Sequence, residues 1–307
     1  MAGLAWLTAR PIAHRGLHDA GAVENTPSAF SAAIAAGYAI ELDLQITADG
    51  EAVVHHDAEL GRLTDGAGRL DALTAAELKR VPFKATADRI ITLSELLDLV
   101  AGRATLLIEL KSRYDGDRRL ALRAAQVLGT YRGPSAVMSF DPLQMAVVRD
   151  AAPSLVRGLV AERHGGHGER LGLGERCRRS LAYLSNAWRS RPTFIAYSVA
   201  DLPALPPWIT RNLLGLPLLT WTVRTEDDRR KAVRWADQMI FEGWPVSETE
   251  FMTAGSAKPT RLKTILANLS NWSMPFAGWA LRQWRARHGT NSVRSKHLVR
   301  RLILTVP

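Results

Sequence analysis

Apolar and polar positions along this chain alternate between two periods. Short apolar runs with a two-residue period are separated by stretches whose apolar positions recur about every 3.6 residues. The short runs are Pro11–His14, Ala39–Ile46, Thr105–Lys111, Ala136–Phe140, Val156–Val160, Phe194–Ser198, Pro217–Val223 and Gln238–Glu242. Helical stretches lie near Leu93–Val100, Gly116–Leu128, Pro142–Asp150, Glu169–Leu184, Leu202–Leu213 and Glu226–Ala236. Strands alternating with helices predict a parallel sheet covered by helices, and eight such units predict an α/β protein of the (β/α)8 TIM barrel class. In that architecture the site lies at the C-terminal ends of the strands, where Arg15, Asp43, Lys111, Phe140, Ser198, Val223 and Glu242 fall.

Local signals refine the first third of the chain. Thr26 and Pro27 open a crossover helix that Gly37 closes, with Phe30, Ala33, Ile34 and Gly37 on its apolar face. Ile46–Val54 reads as a hairpin turned by Asp49-Gly50, which brings His56 back beside Asp43. The excursion from Asp57 to Arg89 is too long for an ordinary βα loop. A small insertion after the second strand is therefore expected, at Leu60–Phe83, with a short helix over Thr74–Arg80. No repeat of solenoid period is present.

Four polar clusters crowd the region from His14 to Asp57: His14-Arg15-Gly16, Glu24-Asn25-Thr26, Glu41-Leu42-Asp43 and His55-His56-Asp57. In a strand, Glu41 and Asp43 share a face and Leu42 takes the other. Two carboxylates so placed repel, and an oxygen-seeking divalent cation such as Mg²⁺ or Ca²⁺ offsets the repulsion. Glu109 and Lys111 repeat the arrangement on an otherwise apolar strand and add a third carboxylate and a fixed cation. His55 points away from His56 and reads as structural.

Taken in order, His-Arg-Gly, Glu-Asn-Thr, Glu-x-Asp, His-Asp and Glu-x-Lys resemble the glycerophosphodiester phosphodiesterase family. The resemblance runs from about Ile12 to about Pro245. It takes in Thr47-Ala48-Asp49-Gly50, Leu60–Gly66, Thr92–Val100, Ser139-Phe140-Asp141 and Trp221-Thr222-Val223. It implies metal-dependent hydrolysis of a glycerophosphodiester to glycerol 3-phosphate and an alcohol. Such hydrolysis needs charge stabilisation at the phosphoryl oxygens, a base and an acid. By the resemblance, Glu41, Asp43 and Glu109 hold the cation, Arg15 and Lys111 bind phosphate oxygens, and His14 and His56 are the general base and acid. The inserted segment is expected to cover the glycerol side of the pocket. Attack by water and attack by the substrate's own 2-hydroxyl both stay open.

Candidate pocket residues are Glu24, Trp221, Arg224 and Glu242, with Glu24 equally readable as a brace for Arg15. The chain departs from the family pattern at two of them. Arg224 stands where asparagine is usual, and Glu242-Gly243 precede Trp244-Pro245 where a Thr-Asp pair is usual. These changes bear on the leaving alcohol: the pair selects a charged or larger group than choline or ethanolamine, or the two side chains bind each other.

Composition adds a second segment. The net charge is +10 over 307 residues, yet residues 1–254 hold 30 basic and 30 acidic side chains. The whole excess lies in residues 255–307, with ten Lys and Arg and no acid. The expected division is thus a barrel over 1–254, with its insertion at about 57–89, and a basic amphipathic C-terminal extension over 255–307. From Pro259 to Leu281, Leu262, Ile265, Leu266, Leu269, Trp272, Phe276 and Trp279 fall on one helical face, with Pro275 as a kink. Flanked by cations, this pattern suits an anionic membrane surface. A final helix packed on the barrel, or a dimer contact, explains the stripe equally well.

No apolar run approaches the roughly 20 residues that span a bilayer. Met1–Arg10 lacks a secretory pattern, so a cytoplasmic enzyme is expected, peripheral on the inner membrane face if the extension binds lipid. Membrane access would favour a lysophospholipase D-type reaction on lysophospholipid. A nucleic-acid-binding protein with an inert barrel is the remaining class, with Trp272, Trp279 and Trp284 among basic residues, and a complete catalytic set argues against it. The single Cys177 excludes an internal disulfide, and its arginine neighbours are read as an ordinary charged helix. The loop His164-Gly165-Gly166-His167-Gly168 is too rich in glycine to fix metal ligands. Oligomeric state is not legible.

Overall fold

The computed structural model describes residues 3–18, 21–164 and 172–243. Among them are nine strands: β1 (Ile12–Ala13), β2 (Ala39–Ile46), β3 (Ala52–Val54), β4 (Leu106–Leu110), β5 (Ser135–Ser139), β6 (Val156–Ala161), β7 (Phe194–Ser198), β8 (Leu218–Val223) and β9 (Gln238–Phe241). All but β3 pair in parallel, in the order β1-β2-β4-β5-β6-β7-β8-β9, and β9 returns to β1. The sheet is a closed eight-stranded barrel, as the alternation of periods predicts. β3 is the hairpin arm expected after β2, antiparallel to it with Leu44 opposite Val54.

The helices are α1 (Pro27–Ala35), α2 (Ala75–Leu78), α3 (Leu93–Val100), α4 (Arg119–Leu128), α5 (Pro142–Ala151), α6 (Glu175–Ala182), α7 (Ala187–Ser190), α8 (Leu205–Asn212) and α9 (Glu226–Trp235). Their starts are chemically marked. Thr26 caps α1 by accepting the Ala29 N–H, and Asp141 caps α5 just ahead of Pro142. Thr74, Thr92 and Thr225 each form a reciprocal capping box with the acid three residues on.

Two helices start later than the periodicity suggests. Asp115 and Asp117 accept the backbone N–H groups of Asp117 and Arg119, a local turn that competes with helix and delays α4 to Arg119. In α8, Pro206 and Pro207 lack the N–H that a helix interior needs, so they fit only its first turn. Of the helix expected over Glu169–Leu184, the described part is α6, Glu175–Ala182, and the short α7 follows it.

The two-residue period divides the strands between two cores. Ile40, Leu42, Leu44, Leu106, Ile108, Leu110, Val137 and Ile195 face outward and pack under Phe30, Leu96, Ala121 and Met145 of the helices. Ile12, Ala39, Leu107, Ala136, Met138, Phe194, Leu219 and Ile240 fill the barrel interior. The inserted segment makes a third cluster from Leu60, Leu70, Leu78 and Phe83 with Val53 and Ile90. On the inward face, apolar side chains give way to polar ones toward the C-terminal strand ends, and this switch positions the site.

The C-terminal extension, including its expected helix and membrane contact, lies outside the described residues. Among the described residues no helix is long and apolar enough to cross a membrane.

Gly158 of β6 is required by packing, because a Cβ built there would lie 2.3 Å from two ring atoms of Phe194. Overpacking of this kind costs about 1–3 kcal/mol. Gly158→Ala should lower the urea midpoint accordingly, and Phe194→Leu added to it should recover part of the loss. An unchanged midpoint would mean that the interior is not close-packed there.

Candidate active site

Register brings the acids together. Asp43 of β2 stands opposite Glu109 of β4, and Glu41 lies two residues back on the same inward face. Glu41 and Asp43 are each 1 % exposed and Glu109 is 7 % exposed. One carboxylate oxygen from each lies within 4.8 Å of the others. Lys111 Nζ is 2.7 Å from Asp43 and 2.8 Å from Glu109, while Arg15 Nε is 3.2 Å from Asp43.

The shifts in proton affinity follow from this crowding. Burial, followed by the charges of Asp43 and Glu109, pushes Glu41 well above the usual carboxylate range. Burial acts the same way on Asp43, but Lys111, His56 and Arg15 outweigh it and hold Asp43 low. Burial disfavours the charged form of Lys111, yet Asp43 and Glu109 raise it above an ordinary lysine. Two fixed cations therefore do not neutralise three buried acids evenly. An all-oxygen set with residual negative charge fits a hard divalent cation held by Glu41, Asp43 and Glu109.

The loop after β1 is built to reach these acids. Arg15 and Asn25 both adopt φ 57, a left-handed conformation that costs about 1–2 kcal/mol for a residue with a side chain. Specific bonds offset that cost. The Arg15 N–H donates to Glu41 at 2.9 Å, and the Asn25 N–H donates to the Arg15 carbonyl at 2.9 Å. The Asn25 amide donates to Asp43 at 2.8 Å and accepts the Asp43 N–H at 3.2 Å. Gly16, at φ 82, passes so close to α1 that a Cβ would lie 2.8 Å from that of Ala29. The His-Arg-Gly step thus needs its glycine.

Each histidine is oriented by a carboxylate. His14 Nδ1 donates to Glu242 at 2.8 Å, and His56 Nδ1 donates to Asp57 at 2.7 Å. With Nδ1 of His14 carrying the proton, its Nε2 is left as the acceptor. The His14 Nε2 atom is 3.9 Å from Glu41. Burial, partly opposed by the bond to Glu242, lowers His14 to about 4, so the ring is neutral at neutral pH. The bond from His14, outweighing burial, holds Glu242 down at about 2.

A cavity of about 540 Å³ opens onto this group. His14, Arg15, Glu41, His56, Glu109 and Lys111 form its polar side. Met138, Phe140, Val160, Val199, Trp221 and Ile240 form its apolar side, and Glu162, Arg224 and Asp228 its charged rim. Trp221 packs edge-on against Phe140 with ring centroids 5.4 Å apart. Its buried Nε1–H meets no acceptor among the described residues.

Several candidate residues take other places than expected. Glu24 does not line the cavity; it accepts from Arg15 at 2.8 Å and from Arg62 at 2.5 Å, so it is a brace. Glu242 is likewise outside the lining, bound to His14 and, at 2.7 Å, to Arg224. Arg224 and Glu242 do pair, and of the two only Arg224 faces the cavity. None of the residues lining this cavity comes from 57–89, while Ala58 and Asp71 of the inserted segment line a smaller pocket on the other side of Lys111. His55 is 2 % exposed and donates to the Asp57 carbonyl, as a structural residue. His164 pairs with Asp201 at 2.6 Å, while 165–171 lie outside the described residues. Burial, then Asp141, raises the Cys177 thiol, in keeping with an ordinary cysteine.

Sequence reading missed Arg62. This residue of the insertion contacts both Asp57 and Glu24 at 2.5 Å, and so ties the partner of His56 to the partner of Arg15. Its place five residues after Asp57, in a loop too long to be a plain connection, was the available signal.

A model of the "Glycerophosphoryl diester phosphodiesterase family" matches residues 14–244. The glycerophosphodiester phosphodiesterase of Caldanaerobacter subterraneus subsp. tengcongensis is 30 % identical over 239 residues, 73 % of this chain and 89 % of the relative. That of Bacillus subtilis is 28 % identical over 229 residues, 67 % of this chain and 73 % of the relative. An Oleispira antarctica phosphodiesterase, solved in complex with the product sn-glycerol-3-phosphate, has the same fold. It superposes with a TM-score of 0.63 at 21 % identity, covering 80 % of this chain and 96 % of its own.

Removing Arg62 tests whether the brace matters for turnover. Loss of a group that orients a site residue typically costs about 10–100-fold. Arg62→Ala should lower kcat for a glycerophosphodiester by about that factor, and free guanidinium should restore part of it, since the side chain is 47 % exposed. A loss below threefold would make Arg62 a surface ion pair only.

Proposed function

The chain belongs to the glycerophosphoryl diester phosphodiesterase family, and on that premise we propose that its cavity hydrolyses glycerophosphodiesters to glycerol 3-phosphate and an alcohol with the help of a divalent cation. The protein is an enzyme of the phosphoric diester hydrolase class. The observation that carries the finer reading is the convergence of three buried carboxylates, two fixed cations and two carboxylate-held histidines on one cavity. The glycerol 3-phosphate bound by the Oleispira phosphodiesterase of the same fold agrees with the product expected here.

Glu41, Asp43 and Glu109 would hold Mg²⁺ or Ca²⁺. When bound, such an ion supplies positive charge for the phosphoryl oxygens and lowers the cost of an attacking oxyanion. Arg15 and Lys111 take the remaining phosphate oxygens, one through a planar fork and the other as a point charge. His14, neutral and with its Nδ1 proton committed to Glu242, accepts the proton of the nucleophile at Nε2. His56, held by Asp57, returns a proton to the departing alkoxide. Trp221 and Arg224 face the leaving group, one with an unused indole N–H and the other with an exposed guanidinium.

A second reading concerns the substrate's size. The apolar wall of Met138, Phe140, Val160, Val199 and Trp221 offers contact to hydrocarbon, and the basic extension would bring the barrel to an anionic membrane. Lysophospholipid would then be hydrolysed in lysophospholipase D fashion at the inner face of the membrane, by an otherwise cytoplasmic enzyme.

A general acid or base contributes roughly 10²–10⁴ in rate. His14→Ala and His56→Ala should each lose that much while keeping the wild-type circular dichroism; a loss below tenfold at either removes that residue from proton transfer. Soluble glycerophosphocholine and lysophosphatidylcholine, assayed side by side, decide the substrate class. If the extension serves a membrane, full-length protein should co-sediment with anionic vesicles and a folded chain ending at Ala254 should not. Equal sedimentation of the two would sink that role.

A further inference from the structure

One group of ligand-type side chains beside the cavity adds a residue, His18, that has no part in the chemistry above. His14, His18 and Glu242 each offer a ligand atom, and these atoms lie within 4.8 Å of one another. His14 and Glu242 already touch through Nδ1 and Oε2 at 2.8 Å. His18, four residues beyond His14 on the same loop, has its Nε2 buried with no partner among the described residues. A buried imidazole nitrogen without a hydrogen bond is costly to keep, and a bound group is one way to satisfy it.

We propose that His14, His18 and Glu242 form a second cation site, selective for a borderline transition ion such as Zn²⁺, whose occupation shuts the enzyme off. The donor set is two imidazoles and one carboxylate, the complement that suits Zn²⁺ over Mg²⁺ or Ca²⁺. The acidic site differs in having oxygen donors only. Selectivity between the two sites thus follows from donor chemistry, with the His14 ring between them: its Nε2 faces Glu41 and its Nδ1 faces Glu242.

The consequence for turnover comes from the tautomer. In the resting ring the proton sits on Nδ1, given to Glu242, and Nε2 is free to accept. A metal on Nδ1 takes the place of that proton. The neutral ring must then carry its proton on Nε2, where it can no longer act as base. Arg224, bound to Glu242 at 2.7 Å and 56 % exposed, has room to turn into solvent when the ion enters. Only the inhibitory effect rests on the role proposed for His14; the binding does not.

Two measurements on the full chain in saturating Mg²⁺ test this. Co²⁺, as a spectroscopic substitute for Zn²⁺, should give the visible absorption of a nitrogen-bound ion, and His18→Ala should abolish it. Zn²⁺ should inhibit glycerophosphodiester hydrolysis without relief by added Mg²⁺, while His18→Ala keeps basal turnover and needs about 10–100-fold more Zn²⁺, the scale on which even outer-shell partners alter metal affinity. Absence of a Co²⁺ band in the wild type overturns the site, whatever the activity. Inhibition that Mg²⁺ reverses, or that His18→Ala leaves unchanged, places the ion on the carboxylates and overturns the proposal.

Discussion

Three carboxylates buried within 4.8 Å of one another, from Glu41, Asp43 and Glu109, repel strongly where water cannot screen them. Much of the surrounding structure is explained by what that repulsion demands. Lys111 bridges Asp43 and Glu109, Arg15 stands over Asp43, and the Arg15 backbone N–H and Asn25 amide supply further donors. The left-handed turns at Arg15 and Asn25 are the path by which the chain delivers those donors. Such a cluster is expensive for a fold to keep and useful for holding a cation against a phosphate group.

From that centre outward, the charges come in matched layers. Arg15 is held by Glu24 and His14 by Glu242, while Asp57 holds His56. Arginines then hold the carboxylates: Arg62 for Glu24 and Asp57, and Arg224 for Glu242. His14 and His56 are each therefore the inner end of an Arg–carboxylate–His chain, one arm rooted in the insertion and the other in the rim after β8. The rim arm contains the two residues that depart from the usual family pattern. The departure puts an Arg–Glu pair where asparagine and a Thr-Asp pair are usual, and Glu242 of that pair holds His14.

The barrel was legible because its rule is local and repeated. Eight apolar runs of period two, each followed by a helical stretch, leave little freedom of topology, and the strands lie within a few residues of the expected bounds. The acid cluster was legible because strand alternation puts Glu41 and Asp43 on one face. What the sequence could not convey was the partner of each long side chain. Arg62, Glu24 and Glu242 reach their partners across loops and over sequence distances of up to 228 residues, for His14 and Glu242. The insertion was legible only in part for a related reason: its length signals an added segment, but not which site side chains it reaches.

The proposed chemistry depends most on the three carboxylates holding one hard cation that hydrolysis requires. Calorimetric titration of chelator-treated full-length protein with Mg²⁺ or Ca²⁺ measures this directly, with glycerol 3-phosphate release from glycerophosphocholine followed in the same samples. One ion should bind per chain, release should rise in proportion to occupancy, and Glu41→Gln should shift both curves together to higher cation. Full turnover in the chelated sample, or binding that Glu41→Gln leaves unchanged, would contradict it.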